Sequence, residues 1–380
     1  MITATYEVAA TDVHAAADAI ALGQSIGNPD VRLERESSRL VEQHLAHVAE
    51  IDGQRVVIQF PDANFSAESG ISHLLSVLIG GQLDIDRVRD CRLVDIDLGS
   101  QVQSWFRGPR FGIVGIRDLL GAHDRPLVGG IVKPKIGLSP QELADVCREM
   151  ADGGVDFIKE DEILGDSPWC PLAERVTLVA KALDGYPTIY APCITADGSA
   201  VVQKARLAKQ LGAGAVHINI WSGLGCHLDV TSTVDIPVFF QKSGDRVWTS
   251  GASAIAASVL FRLVRLIGCD FTHVGMWGGY MSEDEVELRD RLDILSGDWL
   301  DAPATVPSFS CGAHPGLVSA LTERFGVDIM VTAGGNLHGH PQGTVAGARA
   351  FRQAAERHQR VEPGVRPPEL AAAIERWGYR

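Results

Sequence analysis

Residues 139–162 read SPQELADVCREMADGGVDFIKEDE and combine a helix pattern with a strand pattern. Ser139, Pro140 and Glu142 supply a helix N-cap, a first-turn proline and a capping-box partner. Apolar residues then recur at helical spacing until a pair of glycines ends the helix. The apolar run VDFI (155–158) that follows is typical of a buried strand. The stretch therefore predicts a helix that leads into a strand.

The same alternation repeats along most of the chain. Short apolar, β-branched runs that end in polar residues lie at 127–132, 155–158, 188–194, 215–218, 236–240, 270–273, 306–310 and 328–333. Helix-like stretches that separate most of these runs lie at 139–154, 171–184, 199–211, 250–267, 282–295, 314–325 and 343–358. The connection after Asn219 has the weakest helical pattern. Eight β/α units in about 240 residues predict an α/β fold of the (β/α)8 TIM barrel type, with a doubly wound open sheet as the alternative.

The first part of the chain has a different pattern. Strand-like runs occur at 54–61 and 90–99, and helix-like stretches occur near 11–24 and 69–80. We therefore predict a small N-terminal α+β domain at residues 1–115, followed at residues 116–380 by the barrel with C-terminal helices.

Composition excludes several classes of partner. The net charge is −14 and there is no run rich in lysine or arginine, so neither nucleic acid nor an anionic membrane surface is expected as a partner. No stretch approaches the ~18 apolar residues of a membrane span, and the N-terminus has no signal-peptide pattern. The seven cysteines form no CxxC pair, which favours free thiols in a reducing compartment. We expect a cytoplasmic protein.

The candidates for chemistry are the polar residues at the strand ends, where the βα loops of a barrel build the active site. Lys159 and Asp161 share one side of their strand by alternation, and Glu162 lies just beyond. Two carboxylates suit Mg²⁺, which prefers oxygen ligands, but a lysine ammonium would repel the metal. Two interpretations follow. Either the carboxylates hold the lysine in ion pairs, or the lysine has taken up CO₂ and its carbamate is an anionic ligand.

Two further patterns are weaker. Lys133 and Lys135 share one face of RPLVGGIVKPKIGLSP (125–140), and a lysine in a partly desolvated site can serve as a base. The glycines of TAGGNLHGHPQG (332–343) follow a strand and precede a helix, so backbone N–H groups there can approach a phosphate closely. Plain turn glycines are the structural alternative.

Four segments together resemble the RuBisCO large-chain superfamily. They are RPLVGGIVKPKIGLSP (125–140), GGVDFIKEDE (153–162), SFSCGAHPGLVSALTERFG (308–326) and AGGNLHGHP (333–341). The similarity runs in order from about residue 55 to 358. In that family an N-terminal α+β domain precedes a (β/α)8 barrel, and the N-terminal domain of one chain completes the site of another. The resemblance therefore implies a homodimer, or a larger homo-oligomer, with shared active sites.

The resemblance also implies the metal and the proton-transfer residues. Lys159 stands where the family has its carbamylated lysine, and Asp161 and Glu162 stand where it has the two carboxylate ligands of Mg²⁺. Lys133 matches the lysine that moves a proton at the substrate carbon, and Lys135 matches its neighbour in the site.

The remaining matches concern a phosphorylated substrate. His273 matches a histidine near one phosphate. Lys242 is a candidate cation near the position of the family's His-Arg pair after strand 5. The matches to substrate-contacting or phosphate-binding residues are Ser310, Gly312, Gly334 and Gly335.

Departures from the family argue against CO₂ fixation. Carboxylases have a mobile-loop lysine after strand 6, in a stretch that aligns with GMWGGYMSE (275–283), where Tyr280 stands near its position. The family's N-terminal Glu, Thr and Trp align roughly with Gly23, Asn28 and Pro29, and its Asn falls near Gly81. Without the loop lysine nothing obvious stabilises the developing carboxylate.

We therefore expect a RuBisCO-like enzyme and not a carboxylase. The resemblance implies a Mg²⁺-dependent enolase, isomerase or decarboxylase that acts on a phosphorylated keto-sugar or sugar acid through an enediolate. The KPK motif (133–135) is expected to separate this chain from the methionine-salvage enolases, in which we expect that motif to vary. The alternatives are a non-catalytic or regulatory protein with the RuBisCO fold and a residual true carboxylase.

Overall fold

The computed structural model describes residues 1–31, 37–357 and 366–380. Contacts divide the chain into two compact units. The sheet unit comprises Met1–Arg107 and Gly244–Ile267, and the barrel unit comprises Gly108–Ser243 and Gly268–Arg380. The domain boundaries predicted at 1–115 and 116–380 stay a prediction. Residues 244–267 are grouped with the sheet unit, although they lie between barrel strands in the sequence.

The described residues contain twelve β-strands. They are β1 (Ile2–Ala9), β2 (His47–Asp52), β3 (Arg55–Phe60), β4 (Asp90–Asp97), β5 (Leu127–Ile131), β6 (Phe157–Lys159), β7 (Ile189–Ala191), β8 (Val216–Asn219), β9 (Val238–Gln241), β10 (Phe271–Gly275), β11 (Val306–Phe309) and β12 (Met330–Ala333).

The same residues contain sixteen α-helices. They are α1 (Val13–Gly23), α2 (Ser38–His44), α3 (Gly70–Leu78), α4 (Gly99–Gln103), α5 (Gly112–Leu120), α6 (Pro140–Asp152), α7 (Leu172–Ala182), α8 (Ser199–Gln210), α9 (Leu224–Thr233), α10 (Arg246–Thr249), α11 (Ala257–Leu266), α12 (Glu285–Ser296), α13 (Val318–Phe325), α14 (Gly335–His338), α15 (Thr344–Arg357) and α16 (Pro368–Trp377).

The sheet unit contains an antiparallel sheet in the order β2-β3-β1-β4. The predicted strands at 54–61 and 90–99 correspond to β3 and β4, and the sequence analysis missed β1 and β2. Tyr6 on β1 donates a hydrogen bond of 2.7 Å to the carbonyl oxygen of Leu78, which ties the sheet to α3. Leu93 on β4 exchanges backbone hydrogen bonds with Ala254 and Ala256, so the segment before α11 extends the edge of this sheet.

The barrel unit is a ring of eight parallel strands. Their hydrogen-bonded order is β7-β6-β5-β12-β11-β10-β9-β8. The ring closes between β7 and β8, where Ala215 N–H donates to Tyr190 O at 2.9 Å and His217 N–H donates to Pro192 O at 3.0 Å. The (β/α)8 prediction is therefore confirmed, and the open doubly wound sheet is excluded.

Most predicted elements of the barrel are present with shifted ends. Each of the eight strand-like runs overlaps a strand. Helix α6 begins at the predicted capping box, in which Ser139 N–H donates to Glu142 Oε2 at 2.8 Å. The weak connection after Asn219 contains α9. Residue 358, the last of the helix predicted at 343–358, lies outside the described residues.

The interior of the barrel is layered. The first tier is apolar and has one residue from each strand or the position next to it: Leu127, Phe157, Ala191, Ala215, Phe239, Phe271, Val306 and Met330. Two positions further along each strand, side chains return to the same face. That second tier is Gly129, Lys159, Cys193, His217, Gln241, His273, Ser308 and Thr332, and every member is buried.

The structure bears on two expectations from the sequence, one about the cysteines and one about membrane-spanning helices. All seven cysteines are free thiols. Within residues 1–31, 37–357 and 366–380, no helix is both long enough and apolar enough to cross a membrane.

Candidate active site

Lys159 lies at the C-terminal end of β6 and points into the barrel. Its side chain is fully buried, its Nζ donates a 3.2 Å hydrogen bond to Glu160 O, and the same Nζ lies 5.6 Å from the centroid of the Phe239 ring. Across the described part of the chain it forms no ion pair. Burial lowers the pKa of this amine, and the negative charges of Glu162 and Asp161 offset that only in part. The uncharged amine, which is the form that reacts with CO₂, is therefore favoured relative to an exposed lysine.

Glu160 points the other way, as strand alternation requires, and is fully paired. Arg175, which is completely buried, donates from Nε to Glu160 Oε1 at 2.8 Å. The Tyr190 hydroxyl donates to the same oxygen, and Cys193 N–H donates to Oε2 at 2.7 Å. Of the three carboxylates in KEDE (159–162), this one fixes the wall of the barrel and is not available to a ligand.

Asp161 and Glu162 lie at the mouth of the barrel. Lys133 Nζ forms an ion pair with Asp161 Oδ2. Burial raises the pKa of the Asp161 carboxyl, but the hydrogen bond and charge of Lys133, with the charges of Lys135 and Lys159, outweigh it and hold that pKa below its ordinary value. Asp161 is therefore an anion ready to bind a cation.

Glu162 takes part in a contact that the sequence analysis missed. Ser243, just after β9, donates from its hydroxyl to Glu162 Oε1 at 2.9 Å. The Ser243 hydroxyl also accepts a 2.6 Å hydrogen bond from Gln241 Nε2. The second carboxylate is thus held in place from the opposite side of the mouth.

The two predicted lysines at the end of β5 have different environments. A quarter of the Lys133 side chain is exposed, whereas Lys135 is exposed at the rim. Gly334 makes room for Lys133, because a Cβ added at Gly334 would lie 2.7 Å from Lys133 Cε. The glycine after β12 and the lysine after β5 are therefore neighbours.

The loops after β11 and β12 are tied together. Asn336 Nδ2 donates to Ala313 O at 2.9 Å, which links the Gly334–Gly335 turn to the segment with Ser310 and Gly312. Gly312 has φ +101°, and a Cβ there would lie 2.4 Å from Tyr280 N, so only glycine fits. A Cβ at Gly335 would meet nothing within 4 Å, so this backbone faces open space.

His273 and Lys242 complete the predicted set. The His273 ring is buried, lies 4.8 Å from the Phe239 ring, and has no partner for Nδ1. Burial lowers its pKa well below the ordinary value, and the charges of Lys159 and Lys242 add to that effect. His273 is therefore neutral and lies within electrostatic reach of both lysines.

The sequence analysis also missed two second-tier residues. His217 on β8 is completely buried and neither ring nitrogen has a hydrogen-bond partner, and Gln241 Oε1 on β9 is likewise unpaired. The signal was present, since His217 lies two positions before Asn219 on a strand whose end was already considered. The sequence analysis considered only residues at strand ends and therefore omitted His217.

The donor set fits a Mg²⁺ ion only if Lys159 contributes oxygen. Among the described residues, no group of three His, Cys, Asp or Glu side chains could hold a metal ion. The mouth offers the two carboxylates of Asp161 and Glu162, beside an amine whose pKa is lowered by burial. A carbamate on Lys159 would give three anionic oxygen ligands, which is the chemistry that Mg²⁺ prefers.

Comparisons with known proteins identify the family to which the chain belongs. Residues 112–377 match the family model of the ribulose bisphosphate carboxylase large chain, catalytic domain, and residues 2–102 match that of its N-terminal domain. A 2,3-diketo-5-methylthiopentyl-1-phosphate enolase of Geobacillus kaustophilus is 34% identical over 97% of this chain and 95% of its own.

Solved structures of ribulose-1,5-bisphosphate carboxylases and rubisco-like proteins are also similar to this chain. An octameric ribulose-1,5-bisphosphate carboxylase/oxygenase from Pyrococcus horikoshii matches with a TM-score of 0.92 at 28% identity, covering 99% of this chain and 93% of its own. A rubisco-like protein from Alicyclobacillus acidocaldarius matches with a TM-score of 0.89 at 31% identity, covering 99% and 100%. Overall similarity does not separate the chain from the enolases, so the separation by the KPK motif stays a prediction.

Proposed function

Because the chain belongs to the RuBisCO large-chain superfamily, as a RuBisCO-like protein, we propose that it is a Mg²⁺-dependent enzyme that enolises a phosphorylated ketone. The observation that carries the proposal is the convergence of Lys159, Asp161, Glu162 and Lys133 at one end of the barrel. The name of the Geobacillus relative favours enolisation over isomerisation or β-keto acid decarboxylation, which use the same enediolate.

The metal would be held by the Lys159 carbamate, Asp161 and Glu162. When bound, Mg²⁺ would polarise a ketone or hydroxyl oxygen of the substrate and so stabilise negative charge on it. Ser243 would keep Glu162 in position through its 2.9 Å hydrogen bond. The buried surroundings of Lys159 would protect the carbamate from water.

Lys133 would move the proton. Its side chain is partly exposed at the mouth and its Nζ already lies beside Asp161, a proposed ligand. As a free amine it would take a proton from the carbon next to the polarised oxygen, and as an ammonium it would return one. Lys135 lies at the rim, where its positive charge favours an anionic substrate.

The loops after β11 and β12 would bind the phosphate. The N–H groups near Gly312, Gly334 and Gly335 lie in backbone that a phosphate oxygen can approach closely, since glycine carries no side chain there. Ser310 and His273 would orient the other end of the substrate, and Lys242 would add positive charge.

Carboxylation is not expected. Residues 275–283 contain no lysine or arginine, and Tyr280 in that loop is 80% exposed. No ammonium group from this loop would stabilise a new carboxylate, so reprotonation of the enediolate should prevail over addition of CO₂.

The active form would be a homodimer or a larger homo-oligomer in which the sheet unit of one chain completes the site of another. Support comes from the family membership and from the octameric state named for the Pyrococcus relative. Sedimentation velocity on the full chain tests this, and a fully active monomer at nanomolar concentration would contradict it.

The decisive experiment is deuterium exchange followed by ¹H and ³¹P NMR. The full-length protein with Mg²⁺ and bicarbonate is offered 2,3-diketo-5-methylthiopentyl 1-phosphate, other phosphorylated ketones and ribulose 1,5-bisphosphate in D₂O. We expect deuterium to enter one of these at the carbon next to the carbonyl, and Lys133→Met to abolish this exchange without loss of folding.

Two results would contradict the proposal. One is labelled CO₂ entering ribulose 1,5-bisphosphate at a rate comparable to turnover of the best substrate, which would indicate a true carboxylase. The other is a thermal unfolding midpoint that does not respond to Mg²⁺ plus bicarbonate, together with no exchange on any compound. That pair would favour a non-catalytic protein with this fold.

A further inference from the structure

Four buried polar atoms on three neighbouring strands have no hydrogen-bond partner. They are both ring nitrogens of His217 on β8, Oε1 of Gln241 on β9 and Nδ1 of His273 on β10. Each of these side chains is more than nine-tenths buried. An unpaired buried polar group costs ~1–3 kcal/mol, so four of them at one place require a physical reason. A missing ligand that accepts a hydrogen bond from one of them is part of such a reason.

Both histidines lie within electrostatic reach of Lys159. His217 and Lys159 belong to the same interior tier, and only β7 lies between their strands, with Cys193 bridged to His217. Phe239, whose ring lies 5.6 Å from Lys159 Nζ, is the register partner of His217. The positive charge of Lys159 is also the largest cause, after burial, of the lowered pKa of the His217 ring.

The N–H of His217 requires a partner that accepts a hydrogen bond. A pKa well below its ordinary value keeps His217 neutral, so the ring has one N–H donor and one lone pair. Gln241 already uses its Nε2 on Ser243 at 2.6 Å, and its free Oε1 is an acceptor. Neither ring nitrogen of His217 has a hydrogen-bond partner among the described residues, so its N–H has no acceptor there.

We propose that His217 is a positioning residue whose ring N–H donates a hydrogen bond to an oxygen of a carbamate on Lys159. This rests on the proposed function, which assigns the carbamate. The amine lone pair forms an N–C bond to CO₂, the electrons of one C=O π bond move onto oxygen, and one N–H proton leaves to solvent. The product adds two oxygen acceptors to a tier that has an unused donor.

The test compares three variants of the full-length protein by ¹³C NMR with ¹³C-labelled bicarbonate. His217→Leu removes the donor at similar volume, His217→Gln keeps an N–H donor, and Lys159→Ala removes the carbamate. We expect the bicarbonate concentration for half-maximal carbamate signal to rise about 10–100-fold in His217→Leu, the range for residues that orient a metal ligand, and to be largely restored in His217→Gln. The affinity for Mg²⁺ should change in parallel.

A second measurement does not depend on variants. In ¹⁵N-histidine-labelled wild-type protein, bicarbonate without Mg²⁺ should shift the His217 ring N–H resonance downfield, as a new hydrogen bond forms. No such shift, or equal carbamate signals in wild type and His217→Leu, would overturn this inference while leaving the proposed function intact. Absence of any labelled carbamate in the wild type would overturn both, and a shift produced equally in Lys159→Ala would indicate only a bound water or bicarbonate.

Discussion

Buried charged groups at the N-terminal end of the barrel are fully paired, whereas several buried polar groups at the C-terminal end are not. At the N-terminal end, Asp156 accepts two hydrogen bonds of 2.6 Å from Arg125 and one of 2.8 Å from Val128 N–H. Asp270 accepts three backbone N–H bonds of 2.8–3.0 Å, from Phe111, Gly112 and Val238. At the C-terminal end, Lys159 has a single carbonyl partner and His217 has none.

This difference separates structural charge from functional charge. A buried network whose hydrogen bonds are complete rigidifies the fold and has no capacity for a ligand. An incomplete one lowers stability until something binds, which makes it a candidate binding site. Four mutational tests follow, in order of decreasing expected effect.

Asp161→Asn should have the largest effect, on metal binding. It removes one of the two carboxylates at the mouth, so Mg²⁺ affinity measured by calorimetry with bicarbonate present should fall by more than about 100-fold, since even outer-shell partners are worth 10–100-fold. Glu160→Gln is the matched control one residue away. It should keep Mg²⁺ affinity but destabilise the fold, because Arg175 loses its buried partner. Equal loss of affinity in the two variants would contradict the separation of roles.

Arg125→Met should have the largest effect on stability. It leaves Asp156 charged and buried, which typically costs ~3–5 kcal/mol in the free energy of unfolding. Arg352, which also donates to Asp156 at 3.1 Å, should keep the cost toward the lower end of that range. Urea unfolding measures the loss, and the Mg²⁺ affinity of the folded fraction should not change. A variant as stable as the wild type would mean that the complete network at this end contributes little.

The neutral histidines near Lys159 predict a pH dependence of stability. Burial holds the pKa of His217 and of His273 well below the ordinary value, so the unfolded chain takes up these protons near pH ~6.5 while the folded chain does not. The contribution that these two neutral histidines make to the free energy of unfolding is fully present above that pH and is lost as the pH falls. His217→Leu should reduce the slope below pH ~6 by about 1.4 kcal/mol per pH unit. The measurement is the free energy of unfolding of both proteins at several pH values. If His217 titrated normally, the plots of this free energy against pH would be parallel for the wild type and His217→Leu.

A pair of glycines should give the smallest effect. Gly335→Ala at the mouth places a Cβ in open space, so the free energy of unfolding should change by less than ~0.5 kcal/mol. Gly112→Ala at the other end has φ +59° and would place its Cβ 2.6 Å from Pro303 Cβ, so we expect a loss of ~1–3 kcal/mol. Thermal unfolding distinguishes the two, and a large loss in Gly335→Ala would show that this turn is structural.

Much of the candidate site could be predicted because it follows from local rules. Alternation along a strand places Lys159 and Asp161 on one side, and parallel strands bring their C-terminal ends to one edge. The structure accordingly brings Lys133 to Asp161 and Gly334 to Lys133. Roles implied by the resemblance, such as the carbamate and the phosphate contacts, stay predictions.

Other features could not be predicted because they depend on contacts between distant segments. Glu160 and Asp161 are adjacent carboxylates, and only the position of Arg175 makes one of them structural. The segment 244–267 reads as part of a barrel repeat, yet its backbone pairs with Leu93 of the sheet unit.

The sequence by itself determined the order of β/α units, the helix caps and the chemistry offered at each strand end, because each depends on spacing within a short stretch. Only the tertiary structure decided that the ring closes between β7 and β8 and that a tier of polar residues lies beneath the mouth. It also decided that His217 has no partner there. Whether a buried polar group is satisfied depends on which atoms surround it in space, and strands far apart in the sequence supply those atoms.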